Sequence, residues 1–364
     1  MPTLRLLYAI QGEVLGGAEL HAIDLARRLA LRGHHVTATC RPGAGAIRSA
    51  LVAAAGPFRE LRYVETHLEL AALIDELRPQ LVQHFNGWVA PAALQLARHR
   101  PLSVQLVHAN HALDPSHPPS PTQATDLLVA VSDSAARHFP TREGGPPLRV
   151  IRNGIDTSHF TPAVHAAPCP PIRLLSVGRF DEAAKRAAAL VTVCAGLPDR
   201  AWTLTLLGDG PDRAAVERIV RDRGLRNVDV LGHREDPAPH YRSAHMYLSY
   251  SPSEAFGRSL AEAAAAGLAI LARHCHGVSD LLEDGLYARI ARSDAEFAQA
   301  LRELVSDAAL RGRLGRAARG FAVKNLDVQR MVDAYEDLYR ELIAEPRPAR
   351  PDDGFRSRTE LESW

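Results

Sequence analysis

Met246-Tyr-Leu-Ser-Tyr-Ser-Pro-Ser-Glu254-Ala-Phe-Gly-Arg-Ser-Leu-Ala-Glu262-Ala-Ala-Ala-Ala-Gly267 is an apolar run, a Pro/Ser/Gly turn and then small residues at helical spacing. The pattern predicts a buried strand, a loop and a helix starting near Gly257. Glu254 falls in the turn and Glu262 inside the helix. At about 1.5 Å rise per residue, the eight-residue step from one to the other covers about 12 Å. That is the span from a ribose, across a diphosphate, to a hexose. The amides of Phe256, Gly257 and Arg258 sit at the predicted helix start, where unpaired N–H groups and the helix dipole favour a phosphate. One strand–loop–helix unit thus has the reach to hold a sugar nucleotide. The plain alternative is a capped amphipathic helix with two unrelated carboxylates.

The same kind of unit recurs along the chain. Strand-like runs at 4–10, 35–40, 80–85, 103–108, 127–131 and 148–151 alternate with helical stretches such as 18–32 and 67–77. The alternation restarts after the proline-rich Thr161-Pro-Ala-Val-His-Ala-Ala-Pro-Cys-Pro-Pro171. Strands at 172–177, 202–207, 228–231, 246–250 and 268–272 then interleave with helices at 185–195, 212–223, 256–266 and 295–305. Helices 309–322 and 328–344 close the pattern, and 345–364 reads as a disordered Pro/Arg/Asp-rich tail. Alternating β and α units predict parallel, doubly wound sheets, here as two Rossmann-like domains, 1–165 and 166–327. Ligands in such sheets sit beyond the carboxyl ends of the strands, so the expected site is the cleft between the domains.

Composition narrows the classes. The 364 residues suit two domains, and 46% hydrophobic with 23% charged residues is ordinary for a globular protein. A formal net charge of +1 points away from nucleic acid as a partner. No apolar run reaches the roughly 20 residues that span a bilayer. Leu4 to Ile10 is too short for a signal peptide and reads as the first buried strand. Cys40, Cys169, Cys194 and Cys275 are scattered, as expected of thiols in a reducing cytoplasm. Lysine occurs only at 185 and 324, so a lysine beside a phosphate site stands out.

Further motifs follow predicted strands. Gly12-Glu-Val-Leu-Gly16-Gly17-Ala18-Glu19 opens the first helix without the dinucleotide G-x-G-x-x-G spacing. Gly178-Arg179-Phe-Asp-Glu-Ala-Ala-Lys185-Arg186 starts where strand 172–177 ends. Leu206-Leu-Gly208-Asp-Gly-Pro211 and Val230-Leu-Gly232-His233-Arg234 end two more strands, and His84 and His108 end strands in the first half. Asn153-Gly154-Ile155-Asp156 has turn chemistry. His274-Cys275-His276 offers two ligand types but no partner pair for a four-ligand metal site.

In this order the motifs resemble those of retaining glycosyltransferases with the GT-B fold, the family 4 group (glycosyl transferases group 1). Glu254-x7-Glu262 is similar to that family's Glu-x7-Glu signature, and the resemblance covers residues 4 to about 340. It implies an α/β fold of two Rossmann-like domains facing a central cleft, an N-terminal acceptor domain rejoined by helix 328–344, and a C-terminal donor domain. The implied activity is transfer of a hexosyl group from a UDP- or GDP-sugar to an acceptor hydroxyl, in bacterial glycan or glycoconjugate assembly, without metal or other cofactor. Carried over residue by residue, Arg179 and Lys185 hold the diphosphate with backbone amides near Gly16, Gly17 and Gly257, while Glu262 holds the ribose hydroxyls. Glu254 and the amides of Phe256 to Arg258 read the sugar, His108 lies over it, and Gly208, His233 and Arg234 flank the base and ribose. No carboxylate is placed as a covalent nucleophile, so same-face attack with a diphosphate oxygen as base is expected, with closure excluding water.

Two departures stand out. Five residues rather than the usual four separate Arg179 from Lys185, which leaves Arg186 as a substitute. His276-Gly277 replaces the family's Gly-Gly, with Asp280 for its Glu. His84 and His111 are candidates for contacts to the acceptor, which is a glycan, a lipid-linked glycan or a small molecule. Arg48, Arg59 and Arg62 beside an Ala/Leu/Val helix offer weak peripheral contact with an anionic membrane, against the alternative of an ordinary exposed face. Rival readings are a sugar-nucleotide epimerase of GT-B fold and a non-catalytic sugar-nucleotide-binding partner.

Overall fold

A computed structural model describes residues 2–12, 15–85, 89–108, 124–139, 145–162, 171–198 and 200–345. The chain divides into two units, Met1–Ile151 with Val332–Trp364, and Arg152–Met331.

The first unit carries seven parallel strands: β1 (Arg5–Ala9), β2 (His35–Cys40), β3 (Glu60–Tyr63), β4 (Leu81–His84), β5 (Leu102–Val107), β6 (Leu127–Ala130) and β7 (Leu148–Val150). Their order is β3-β2-β1-β4-β5-β6-β7, so the winding reverses at β1. The helices are α1 (Gly17–Leu31), α2 (Gly45–Ala54), α3 (His67–Leu77), α4 (Val89–Leu96) and α5 (Asp133–His138). The central strands are apolar without alternation because both faces are covered; Leu6, Leu7, Tyr8 and Ala9 are all buried. Helix α3 starts at a capping box, with Thr66 Oγ1 accepting from Glu69 N at 3.2 Å and Glu69 Oε2 accepting from Thr66 N at 3.4 Å. Strand β3 was not among the expected strands. It is a half-exposed edge whose identity comes from pairing with β2, not from an apolar run of its own.

The second unit carries six parallel strands: β8 (Ile172–Val177), β9 (Trp202–Leu207), β10 (Val228–Val230), β11 (Met246–Ser249), β12 (Ala269–Arg273) and β13 (Arg289–Ala291), in the order β10-β9-β8-β11-β12-β13. Its helices are α6 (Ala187–Cys194), α7 (Arg213–Asp222), α8 (Ala238–Ser243), α9 (Arg258–Ala265), α10 (His276–Leu281), α11 (Asp294–Ser306) and α12 (Ala308–Asn325). Trp202, Leu204, Leu190, Leu248, Phe297 and Leu314 belong to one buried core. The alanines of α9 are small for a reason: Ala261, Ala263, Ala264 and Ala265 are fully buried, and a methyl group on Gly315 of α12 would lie 2.3 Å from Gly267 O.

The division between units falls at Ile151, earlier than residue 165. The cause is local bonding. Ile155 N donates to Leu326 O at 2.7 Å, Val328 N to Ile155 O at 3.0 Å, and Arg319 Nη1 to the carbonyls of Thr157 and Phe160 at 2.9 Å. Asn153-Gly154 does more than turn: a methyl group on Gly154 would lie 2.5 Å from Val328 Cα. Helix α13 (Val328–Ala344) begins in the second unit and continues in the first. There Tyr339 OH donates to Gln83 Oε1 at 2.6 Å and meets Tyr8 OH at 3.0 Å. Most of the proline-rich stretch, 163–170, and the tail from 346 onward lie outside the described residues. Among the described residues no helix is long and apolar enough to cross a membrane.

Candidate functional site

In the second unit the strand order reverses at β8, which lies between β9 and β11. At the carboxyl ends of these strands is a pocket lined among others by Gly178, Arg179, Lys185, Tyr250, Glu254 and Ser259. Each wall has a local origin. Strand β8 ends where Gly178 N donates to Leu207 O at 2.9 Å. The chain then makes a turn closed by Ala184 N and Lys185 N donating to Asp181 O at 3.1 and 2.7 Å. That turn absorbs the extra residue between Arg179 and Lys185. Lys185 Nζ donates to the Glu254 carboxylate, while Arg186 follows in the left-handed region at φ 53°. Lys185, and not Arg186, therefore reaches the pocket.

Glycines permit the close approaches around it. A methyl group on Gly208 would lie 1.8 Å from Gly178 O, so this glycine lets the ends of β8 and β9 pack backbone on backbone. A methyl group on Gly277 would lie 1.9 Å from Glu254 O, so the start of α10 braces the Glu254 loop. His274 and His276 are exposed, with rings 6.5 Å apart. Among the described residues no three His, Cys, Asp or Glu side chains gather as a metal site requires.

Helix α9 starts after Gly257, at φ 79°, with Phe256 buried beside it. Glu262 lies one turn in and is 6% exposed. Its Oε1 accepts from Arg258 Nε at 2.9 Å and its Oε2 from Tyr241 OH at 2.9 Å. Burial pushes the Glu262 carboxyl up, and the Arg258 charge and the two hydrogen bonds oppose that rise. The sequence pointed to the Arg258 amide; the structure adds its guanidinium. Tyr241 went unread because α8 is short and carries no spacing signature. After β10, His233 and Arg234 are exposed, and Arg234 Nη1 donates to His233 O at 3.1 Å.

In the first unit, Gly16 N donates to Glu19 Oε2 at 3.0 Å, and the space above Gly12 is filled by the same carboxylate. Burial raises the Glu19 pKa. The Gly16 amide is thus bonded internally, whereas nothing lies within 4 Å of a methyl group built on Gly17. His108 follows β5, stacked on Phe85 at 5.6 Å and edge-on to His21 at 5.1 Å. Its Nε2 is shut off from solvent and has no hydrogen-bond partner among the described residues. Burial pushes its imidazole down to about 3, so it is neutral. His84 differs from the expectation of an acceptor contact. It is fully buried, with Nε2 on Ser103 Oγ at 3.0 Å and Nδ1 on Phe85 O at 3.2 Å, and serves as scaffold. His111 lies outside the described residues.

Residues 171–307 match the family "Glycosyl transferases group 1", and residues 15–159 match "Glycosyltransferase Family 4". The chain is 27% identical over 334 residues to the lipopolysaccharide core biosynthesis glycosyltransferase LpsE of Rhizobium meliloti, covering 89% of this chain and 95% of that protein. It is 26% identical over 396 residues to a D-inositol 3-phosphate glycosyltransferase of Geodermatophilus obscurus, covering 92% and 88%. Among solved structures, the Anabaena protein HepE in complex with UDP and glucose superposes with a TM-score of 0.77 at 19% identity, over 93% of this chain and 100% of that one. WaaG, a glycosyltransferase involved in lipopolysaccharide biosynthesis, superposes with a TM-score of 0.71 at 18% identity, over 92% and 99%.

Proposed function

The chain belongs to the group 1 glycosyltransferases of family 4 and has their GT-B fold, and we propose that it moves a hexosyl group from a nucleotide diphosphate sugar to an acceptor hydroxyl with the anomeric configuration retained. The observation that carries this reading is the pocket in which Lys185 and Glu254 pair beside Arg179. A leaving diphosphate develops negative charge, and fixed cations stabilise it without reorganisation and, in this reading, without a metal. An ammonium has three donors, so Lys185 keeps N–H groups for a phosphate while paired to Glu254. Glu262 takes the ribose hydroxyls, and Glu254 with the amides of residues 256–258 takes the sugar hydroxyls. The first unit takes the acceptor, with His108 as a neutral hydrogen-bonding group.

Glu254 is tied to Lys185, and Glu262 to Arg258 and Tyr241, which supports a reaction without a glycosyl-enzyme intermediate. In that step the acceptor oxygen bonds to the anomeric carbon on the face the diphosphate leaves, and its proton passes to a diphosphate oxygen. The UDP bound in HepE makes a UDP-sugar the first donor to test, with GDP-sugars next. Similarity to LpsE supports an acceptor in bacterial glycan or glycoconjugate assembly. Buried, free Cys40, Cys194 and Cys275 support a reducing, cytoplasmic setting. The extra residue before Lys185 leaves the non-catalytic reading open; a turn that still delivers Lys185 to Glu254 favours turnover.

A thermal-shift panel of UDP, GDP, ADP, dTDP and their sugars tests the donor. A ligand at a hundred times its Kd stabilises the fold by about 2.7 kcal/mol. One nucleotide is expected to shift the wild type and to lose that effect in Glu262→Ala. No shift with any of them would remove the reading. NMR of the product should give the donor's anomeric configuration, with turnover undiminished by EDTA. An inverted product or a trapped glycosyl-enzyme would overturn the mechanism, and a new sugar nucleotide formed without acceptor would point to an epimerase.

A further inference from the structure

We propose that Tyr241 is a positioning residue for the nucleotide, holding the Glu262 carboxylate so that it accepts from the ribose hydroxyls; this rests on the proposed ribose role of Glu262. Tyr241 is fully buried on α8, with its ring edge-on to Phe160 at 5.4 Å and stacked on Tyr247 at 5.8 Å. The ring is thus fixed and the hydroxyl has little freedom. Its one proton has two acceptors within reach, Glu262 Oε2 at 2.9 Å and Ser259 O at 3.2 Å. The shorter contact goes to the carboxylate. Tyr247 does not compete for Glu262, since its hydroxyl donates to Val177 O at 3.1 Å.

A carboxylate has about four lone-pair sites. Arg258 fills one on Oε1 and Tyr241 one on Oε2, which leaves one on each oxygen for a pair of vicinal hydroxyls. The two internal donors come from different helices, α9 and α8, so neither oxygen can leave its place without losing a bond. With Arg258 alone the carboxylate would pivot about a single contact. The Tyr241 bond also favours the ionised form of a carboxyl that burial drives toward protonation; the other charged or titratable groups facing it are Arg258, His159 and Tyr247.

The experiment compares binding of UDP, GDP and ADP with that of their 2′-deoxy and 3′-deoxy forms, on wild type, Tyr241→Phe, Tyr247→Phe and Glu262→Ala. Wild type is expected to prefer the ribonucleotide it binds by tenfold or more. Tyr241→Phe keeps the packed ring and the fold, and its preference should drop to threefold or less. Tyr247→Phe loses a hydroxyl of the same kind that does not touch Glu262, and should keep the wild-type ratio. A Tyr241→Phe protein that binds all nucleotides more weakly at an unchanged ratio overturns the proposal, because a merely structural residue behaves that way. If Glu262→Ala keeps the ratio, the ribose role of Glu262 fails first, and if wild type binds no nucleotide, the donor reading fails with it.

Discussion

With its imidazole pushed down to about 3 by burial, His108 stays neutral across the range in which such an enzyme is assayed. A neutral imidazole can donate or accept a hydrogen bond but carries no charge. The Cε1–H resonance of His108 is therefore expected not to move between pH 5 and 8. Replacing it by Ala should lower kcat/KM by about tenfold to a hundredfold, the cost of about one to two buried hydrogen bonds, while leaving the limbs of the pH profile in place. A limb that disappears with His108 would show that it titrates. The histidine's place at a strand end was legible in the sequence; its partners were not. Phe85 and His21 come to it from β4's end and from α1, which only folding brings together.

Between Gly178 and Ala187 a single element carries both the departure from the family's spacing and its accommodation. The turn at 181–185 places Lys185, and Arg186 follows it at φ 53°. A non-glycine residue there is strained by about 1 kcal/mol. Arg186→Gly is accordingly expected to raise the melting temperature by about 2–4 °C, whereas Arg186→Ala should not. The opposite holds where α10 braces the Glu254 loop. Gly277→Ala drives a methyl group against Glu254 O, so activity should fall by at least tenfold, while Gly43→Ala, with nothing within 4 Å, should be silent. Steady-state kinetics with donor and acceptor saturated reads the difference. The strand, loop and helix around Glu254 were readable because periodicity and a Pro/Gly turn are local signals. Strand β13 and helices α8 and α10 were not, being three to six residues long and defined by what they pair with or pack against.

Over the whole molecule, three titratable groups of the first unit, the fully buried His84 and the half-buried His108 and Glu336, shape its response to acid. Burial lowers His84 to about 4 and His108 to about 3. Since their unfolded value is about 6.5, the unfolded chain takes up these protons first. The stability they confer is full above that value and is lost as pH falls toward 4 and below. Glu336 adds a second, more acidic window. Burial alone would raise its carboxyl, but hydrogen bonds from Arg340 and Arg32 bring it down to about 2, so its contribution fades as pH falls below the ordinary carboxylate range. Urea midpoints are expected to drop steadily from pH 7 to pH 5, and to drop less in His84→Gln. A flat profile in that interval would contradict the desolvation of these histidines.

The sequence by itself determined the fold class, the doubly wound order of units and the strand–loop–helix that carries Glu254 and Glu262, because these rest on local periodicity, turn chemistry and spacing. Tertiary structure alone decided which groups meet. It put the boundary between the units at Ile151 through the pairing of Ile155 with Leu326 and Val328, and it tied His84 to Ser103. It brought Lys185 to Glu254 despite an extra residue, and it set Tyr241 against Glu262 from a helix that no pattern announced. Contacts between residues distant in sequence follow from how buried elements pack, and spacing along one chain carries no record of that.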